Sequence, residues 1–132
     1  MTAQRLLFID DNEDSRLLVE FTLENKAWKV LTACSGVEGI TKAEIERPDV
    51  ILLDLVMQDL DGLTVLNILK SNLFTCSIPV IFITAMVQAE LLSRLENTLA
   101  DGIITKPFDV INLDAQIAEI CQWDVVSNYE LN

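Results

Sequence analysis

The most restrictive feature of this chain is an alternation. Short apolar, β-rich runs at residues 6–9, 30–33, 50–53, 78–83 and 103–104 each end in polar or small residues, and segments with helical spacing separate them. Those segments carry Leu17, Leu18 and Phe21; Val37, Ile40 and Ala43; Val65, Leu66 and Leu69; Leu91, Leu92, Leu95 and Leu99 within 88–99; and Leu113, Ile117, Ile120 and Cys121 within 109–122. Each set predicts an amphipathic face. The runs 50–53 and 78–83 are continuously apolar, as parallel strands covered by helices on both faces require. The pattern predicts an α/β fold, a (βα)5 doubly wound parallel five-stranded sheet. Such an open sheet binds ligands at the carboxyl ends of its strands, near the point where strand order reverses.

Composition narrows the function. The chain has 132 residues, enough for one core, and 9 Lys and Arg against 21 Asp and Glu give a formal net charge of −12. A chain this acidic lacks the basic field that holds nucleic acid or an anionic membrane surface, so direct binding to either is not expected. No apolar run approaches the roughly 18 residues of a membrane span, and Asp10 interrupts the first apolar stretch before it could serve as a signal segment. The expected compartment is cytoplasmic. Cys34, Cys76 and Cys121 are widely spaced and there is no His, which removes imidazole chemistry, most zinc sites and a disulfide framework. Three small thiols, buried or half-buried, are expected. The helical pattern ends near Gln122, so the expected organisation is one unit over 1–122 and a C-terminal tail over 123–132, frayed or packed by Trp123.

The strand ends collect polar residues. Asp10 and Asp11 follow the first run, Asp54 the third, Thr84 the fourth, and Lys106 with Pro107 the fifth. Taken singly, Asp11 and Thr84 can cap helices, Asp54 can start a turn and Lys106 can be a solvated charge. Taken jointly, the fold brings all five to one edge. Three carboxylates and one ammonium carry a formal charge of −2, and like charges in a partly desolvated cleft call for a cation. All-oxygen ligation with open water positions suits Mg²⁺, and such an ion prepares a site for phosphoryl transfer. Thr84 could then donate its hydroxyl, and Lys106 a point charge, to phosphoryl oxygens.

The segments LLFIDDNEDSR, PDVILLDLVMQDLDGLTVL, IPVIFITA and DGIITKPF resemble the signature segments of response-regulator receiver domains of two-component signalling, the chemotaxis-regulator-like family, from about Arg5 to about Gln122. The resemblance implies a flavodoxin-like sheet of strand order 2-1-3-4-5. It implies that Asp54 is the phosphoacceptor, that Asp10 and Asp11 are the acidic pair binding Mg²⁺, and that the Val56 carbonyl is a further metal ligand. Thr84 then matches the switch hydroxyl. Lys106 matches the lysine that pairs with the acceptor carboxylate and then with the phosphoryl group, and the Lys106–Pro107 bond is expected to be cis. Implied partners are a sensor histidine kinase or histidine phosphotransfer protein and a downstream protein target, with a partner or dimer surface on segment 88–99, the fifth strand and segment 109–122.

Departures from the pattern concern output. Ile103 stands where the family usually has a Tyr or Phe that moves with the threonine, Gln58 where a Pro is frequent, and Leu99 where a Gly is frequent. With no ring at position 103, the shift is expected to pass through Ala85, Met86 and Val87 into segment 88–99. The resemblance implies a switch module rather than an enzyme. Two other readings stand beside it. One is a receiver-like adaptor that docks without phosphate. The other is an Asp-nucleophile phosphohydrolase, which would need a second Asp where Val56 stands.

Overall fold

Alternate side chains of a strand point to opposite faces, and here both sets are apolar. The computed structural model describes residues 4–85, 93, 95 and 98–123. Its elements are β1 (Arg5–Ile9), α1 (Glu13–Glu24), β2 (Lys29–Ala33), α2 (Gly36–Glu46), β3 (Val50–Leu53), α3 (Gly62–Ser71), β4 (Val80–Thr84), β5 (Gly102–Thr105) and α4 (Leu113–Ile120). All strand pairs are parallel, in the order β2-β1-β3-β4-β5. On one face Leu7, Ile9, Ile51, Leu53 and Phe82 pack with Ala43 of α2 and Val65, Leu66 and Leu69 of α3. On the other, Leu6, Phe8, Leu52, Ile81 and Ile83 pack with Val19 and Leu23 of α1 and Leu113 and Ile117 of α4. This two-sided burial is why the strand runs read as unbroken apolar stretches. The chain leaves β1 toward β2 and then crosses back to β3, so order reverses at the carboxyl ends of β1 and β3. No helix among the described residues is long and apolar enough to cross a membrane.

Several sequence expectations are corrected. Leu17, Leu18 and Phe21 do not form the buried face of α1: they are 57%, 46% and 71% exposed, and Val19, Thr22 and Leu23 face the sheet instead. Apolar residues lie on both sides of this helix, so spacing alone could not choose. In the observed rotation Val19 and Leu23 pack into the core, while Ser15 and Arg16 reach the strand ends through Lys106 and the Asp10 carbonyl. In α2, Val37 is exposed, and the buried residues are Gly36, Gly39 and Ala43. A Cβ on Gly39 would come within 2.4 Å of the Ile9 side chain, so small residues let this helix approach β1. The fourth strand starts at Val80 rather than Ile78 because Pro79, lacking an N–H, cannot donate to a ladder. Cys34 and Cys76 are exposed, and only Cys121 is half-buried.

Leu95 of segment 88–99 is buried and Leu99 is exposed; Leu91, Leu92, Met86 and Val87 lie outside the described residues. Trp123 does pack, its ring centroid 5.8 Å from that of Trp28; the rest of the tail also lies outside them.

One contact ties the fold to the strand ends. Asp61 caps α3 by accepting from the Thr64 N–H at 2.8 Å, and the helix then opens with Gly62, whose N–H donates to the Leu55 carbonyl. A Cβ at Gly62 would sit 2.6 Å from the Asp54 carbonyl oxygen and 2.8 Å from the Leu55 Cα. Backbone cannot yield as a side chain can. Gly62→Ala is therefore expected to lose about 1–3 kcal/mol of stability by overpacking, read as a lower urea midpoint at unchanged slope.

Candidate functional site

The carboxyl end of β1 is joined by backbone hydrogen bonds to both its neighbours: the Asp10 N–H donates to the Ala33 carbonyl at the end of β2, and the Asp54 N–H, just after β3, to the Ile9 carbonyl. Asp10, Asp11 and Asp54 are thereby brought together, each offering a carboxylate oxygen within 4.8 Å of the others. Asp10 is fully buried. Its Oδ1 accepts from the Asn12 N–H at 2.9 Å and its Oδ2 from Lys106 Nζ at 2.7 Å, while its carbonyl accepts from Arg16 Nη1 at 2.8 Å. Asp11 is exposed, and its Oδ2 accepts from the Gln58 N–H at 3.1 Å. Asp11 is not the helix cap; Asn12 fills that role, accepting from the Ser15 N–H.

Asp54 ends β3 with little exposure. Its Oδ1 accepts from the Leu55 N–H at 2.8 Å, and its Oδ2 lies 4.0 Å from Lys106 Nζ. The resemblance implied a lysine paired with the acceptor carboxylate; here the ammonium lies closer to Asp10 than to Asp54. The Lys106–Pro107 bond is cis. The Lys106 N–H donates to the carbonyl of Thr84, which closes β4 and is buried. Val56, exposed, follows in the loop after Asp54 between the buried Leu55 and Met57. The edge thus holds Asp10, Asp11, Asp54, Val56, Thr84 and Lys106. Ser15, Arg16 and Asp59 were not singled out from the sequence. Arg16 had a readable signal, being the one cation among Asp10, Asp11, Glu13 and Asp14. Asp59 had none, because its partners, the N–H groups of Gly36 and Val37, lie 23 and 22 residues away.

Burial pushes the Asp54 carboxyl up from its usual value of 3.8 to about 6, with the Asp10 charge adding to the shift and Lys106 opposing it. The raised value means that the protonated form favours folding: that contribution is complete below about pH 4 and is lost as pH rises through about 6. Above that range the ionised carboxylate is a net cost. Asp54→Asn is therefore expected to be more stable than the native chain in EDTA at pH 7.5, by about 1–3 kcal/mol, with the gap closing as pH falls to 4. Urea midpoints across this range check it, and a gap independent of pH would contradict the assignment.

The chemistry of this donor set fits a hard divalent cation. Three carboxylates offer oxygen alone, and their spacing lets one small ion reach all of them. Lys106 adds a positive charge 2.7 Å from Asp10 and 4.0 Å from Asp54, so the arrangement offers a candidate cation site and an ammonium beside one another.

The family model for the response regulator receiver domain matches residues 6–118. Over 125 residues the chain is 35% identical to the response regulator PleD of Caulobacter vibrioides, covering 94% of this chain and 27% of that protein. It is 33% identical over 118 residues to the alkaline phosphatase synthesis transcriptional regulatory protein PhoP of Bacillus subtilis, covering 89% of this chain and 48% of that one. The chain therefore spans between a quarter and a half of these relatives. Among solved structures, the chemotaxis protein CheY4 of Vibrio cholerae superposes with a TM-score of 0.83 at 25% identity, over 89% of this chain and 98% of that one.

Proposed function

The chain belongs to the response regulator receiver domain family, whose place is in two-component signalling, and on that footing we propose that it is a phosphorylation-dependent switch whose acceptor is Asp54. The observation that carries this reading is the placement of Asp54 inside the acidic cluster with an oxygen 4.0 Å from Lys106 Nζ, near the ammonium but not tied up by it as the Asp10 oxygen at 2.7 Å is. A phosphoryl group arriving there meets a cation site on one side and an ammonium on the other.

Asp11, Asp54 and the Val56 carbonyl would hold Mg²⁺, with Asp10 ligating through water or supporting the set. Bound there, the ion supplies neutralisation of phosphoryl oxygens. An Asp54 carboxylate oxygen attacks phosphorus; a new O–P bond forms as the donor's P–N bond breaks, and the donor imidazole leaves with its electron pair. The donor is the phosphohistidine of a kinase or phosphotransfer partner, because this chain has no His. Lys106 holds a phosphoryl oxygen as charge develops, and Thr84 presents its hydroxyl to another. In this role the chain switches and turns over no external substrate, since Val56 stands where a general acid would be needed.

One relative is called DNA-binding, but this chain spans 47% of it. With its net charge of −12, this chain acts on a protein target and makes no direct nucleic-acid or membrane contact. The proposed compartment is the cytoplasm. Ile103 packs half-buried beside the cluster that includes Leu95, which favours relay of the switch through backbone movement into segment 88–99. That segment, β5 and α4 form the proposed partner or dimer face. Intact mass after incubation with Mg²⁺ and acetyl phosphate tests the reading: one phosphoryl increment is expected, and none would leave only a docking module.

A further inference from the structure

The loop between β3 and α3 is held from both sides. On the α2 side, the Asp59 carboxylate accepts from the N–H groups of Gly36 at 2.9 Å and Val37 at 3.0 Å, charge-assisted bonds to the positive end of a helix. At its base the Gly62 N–H donates to the Leu55 carbonyl at 2.8 Å, and Met57 is buried. On the other side stands Asp11. Its Oδ2 accepts from the Gln58 N–H at 3.1 Å, across 47 residues of sequence.

We propose that Gln58 is a positioning residue for Asp11, acting through its backbone N–H and not its side chain; the inference rests on the metal assignment above. Asp11 is the exposed member of the acidic cluster, and an exposed carboxylate loses rotamer freedom when it binds an ion. A donor fixed by the anchored loop removes part of that loss in advance. A carboxylate has acceptor capacity on both oxygens, so the bond to Gln58 leaves room for a cation. Partners of this kind orient metal ligands and tune affinity. The same bond makes the loop that carries Val56 and the carboxylate of Asp11 one unit, latched to α2 by Asp59. A proline at position 58 would have no N–H to give.

The test compares Gln58→Pro, which deletes the donor, with Gln58→Ala, which keeps it, by Mg²⁺ titration followed through amide NMR shifts. The Pro variant is expected to bind Mg²⁺ about 3–10-fold more weakly than the Ala variant, with the Gly36 and Val37 amide shifts in place to show that the loop has not moved. Equal affinities with those shifts in place overturn the proposal. Where the Pro variant does displace the loop, hydrogen exchange decides: the Gln58 amide is expected to exchange about 10-fold faster in Asp11→Ala than in the native chain. Unchanged exchange overturns the proposal. A native chain whose amides ignore Mg²⁺ defeats the metal assignment instead, and the exchange comparison still judges the link between Gln58 and Asp11.

Discussion

Asp54→Asn, incubated with Mg²⁺ and acetyl phosphate, is expected to gain no phosphoryl mass, while the native chain gains one increment that EDTA prevents. The choice among three neighbouring carboxylates follows from their partners. Asp10 is fully buried, with one oxygen on the Asn12 N–H and the other on Lys106. Asp11 is exposed and far enough out to be held by the β3–α3 loop. Asp54 has one oxygen fixed by the Leu55 N–H and the other 4.0 Å from the ammonium. It is the carboxylate with an oxygen near, but not in hydrogen-bonding contact with, the positive charge.

The dependence on a divalent ion follows from charge. Phosphorylated Asp54 carries about −2 at neutral pH beside Asp10, Asp11 and Lys106, whose formal charges sum to −1, so the site without a metal holds about −3. Each pair of like unit charges about 4 Å apart costs about 4 kcal/mol at an effective dielectric constant near 20. Lys106 alone offsets only part of that. Removal of the ion is therefore expected to lower acceptance by at least about 100-fold, equivalent to about 2.8 kcal/mol. An increment that survives in EDTA, or in Asp54→Asn, would overturn the assignment of Asp54 and of the metal.

Lys106→Ala is expected to separate three quantities that a generic loss of structure would move together. Deleting the ammonium leaves the fully buried Asp10 carboxylate without its 2.7 Å partner, and breaking a buried pair from one side costs about 3–5 kcal/mol. The Lys106 side chain keeps 19% of its exposure, so the expected loss falls to or below the bottom of that range, about 2–3 kcal/mol in EDTA. Mg²⁺ affinity should hold or rise, since the ammonium competes with the ion for the same carboxylates. Saturating Mg²⁺ should then restore part of the lost stability by binding the folded state alone. Phosphoryl acceptance should nevertheless fall, by about 10–100-fold, because the group that holds the developing charge is gone. Urea midpoints with and without Mg²⁺, metal titration and intact mass read these separately. Markedly weaker Mg²⁺ binding in the variant would rule out Lys106 as the charge partner of the acidic cluster.

Part of this protein is legible in the amino-acid order alone. Strand period and helix period are local properties, and two-sided burial makes β3 and β4 read as unbroken apolar runs, so the α/β order and the parallel sheet follow from the chain. Given that sheet, Asp10, Asp11, Asp54 and Lys106 each follow a strand and Thr84 closes one, so all five must share its carboxyl edge. Local spacing stops being informative where two faces of a helix are both apolar. Leu17, Leu18 and Phe21 look as core-like as Val19 and Leu23, and only tertiary packing, with Val19 and Leu23 against the sheet and Ser15 and Arg16 at the strand ends, settles the rotation of α1. The burial of Gly36 and Gly39 instead of Val37 likewise depended on how near α2 comes to its neighbours, Gly36 to Val65 and Leu60 and Gly39 to Ile9 of β1.

Contacts through the backbone leave no trace in residue identity. The Gln58 N–H on Asp11 and the Gly36 and Val37 N–H groups on Asp59 could come from any residue but proline, at separations of 47, 23 and 22 positions. The sequence by itself determined which charges meet and at which edge. Tertiary structure decided how they share partners, including the placement of Lys106 nearer Asp10 than Asp54. The physical reason is one of range: periodicity and strand order act through the chain, whereas ion-pair distances and backbone donors are settled only when distant segments pack.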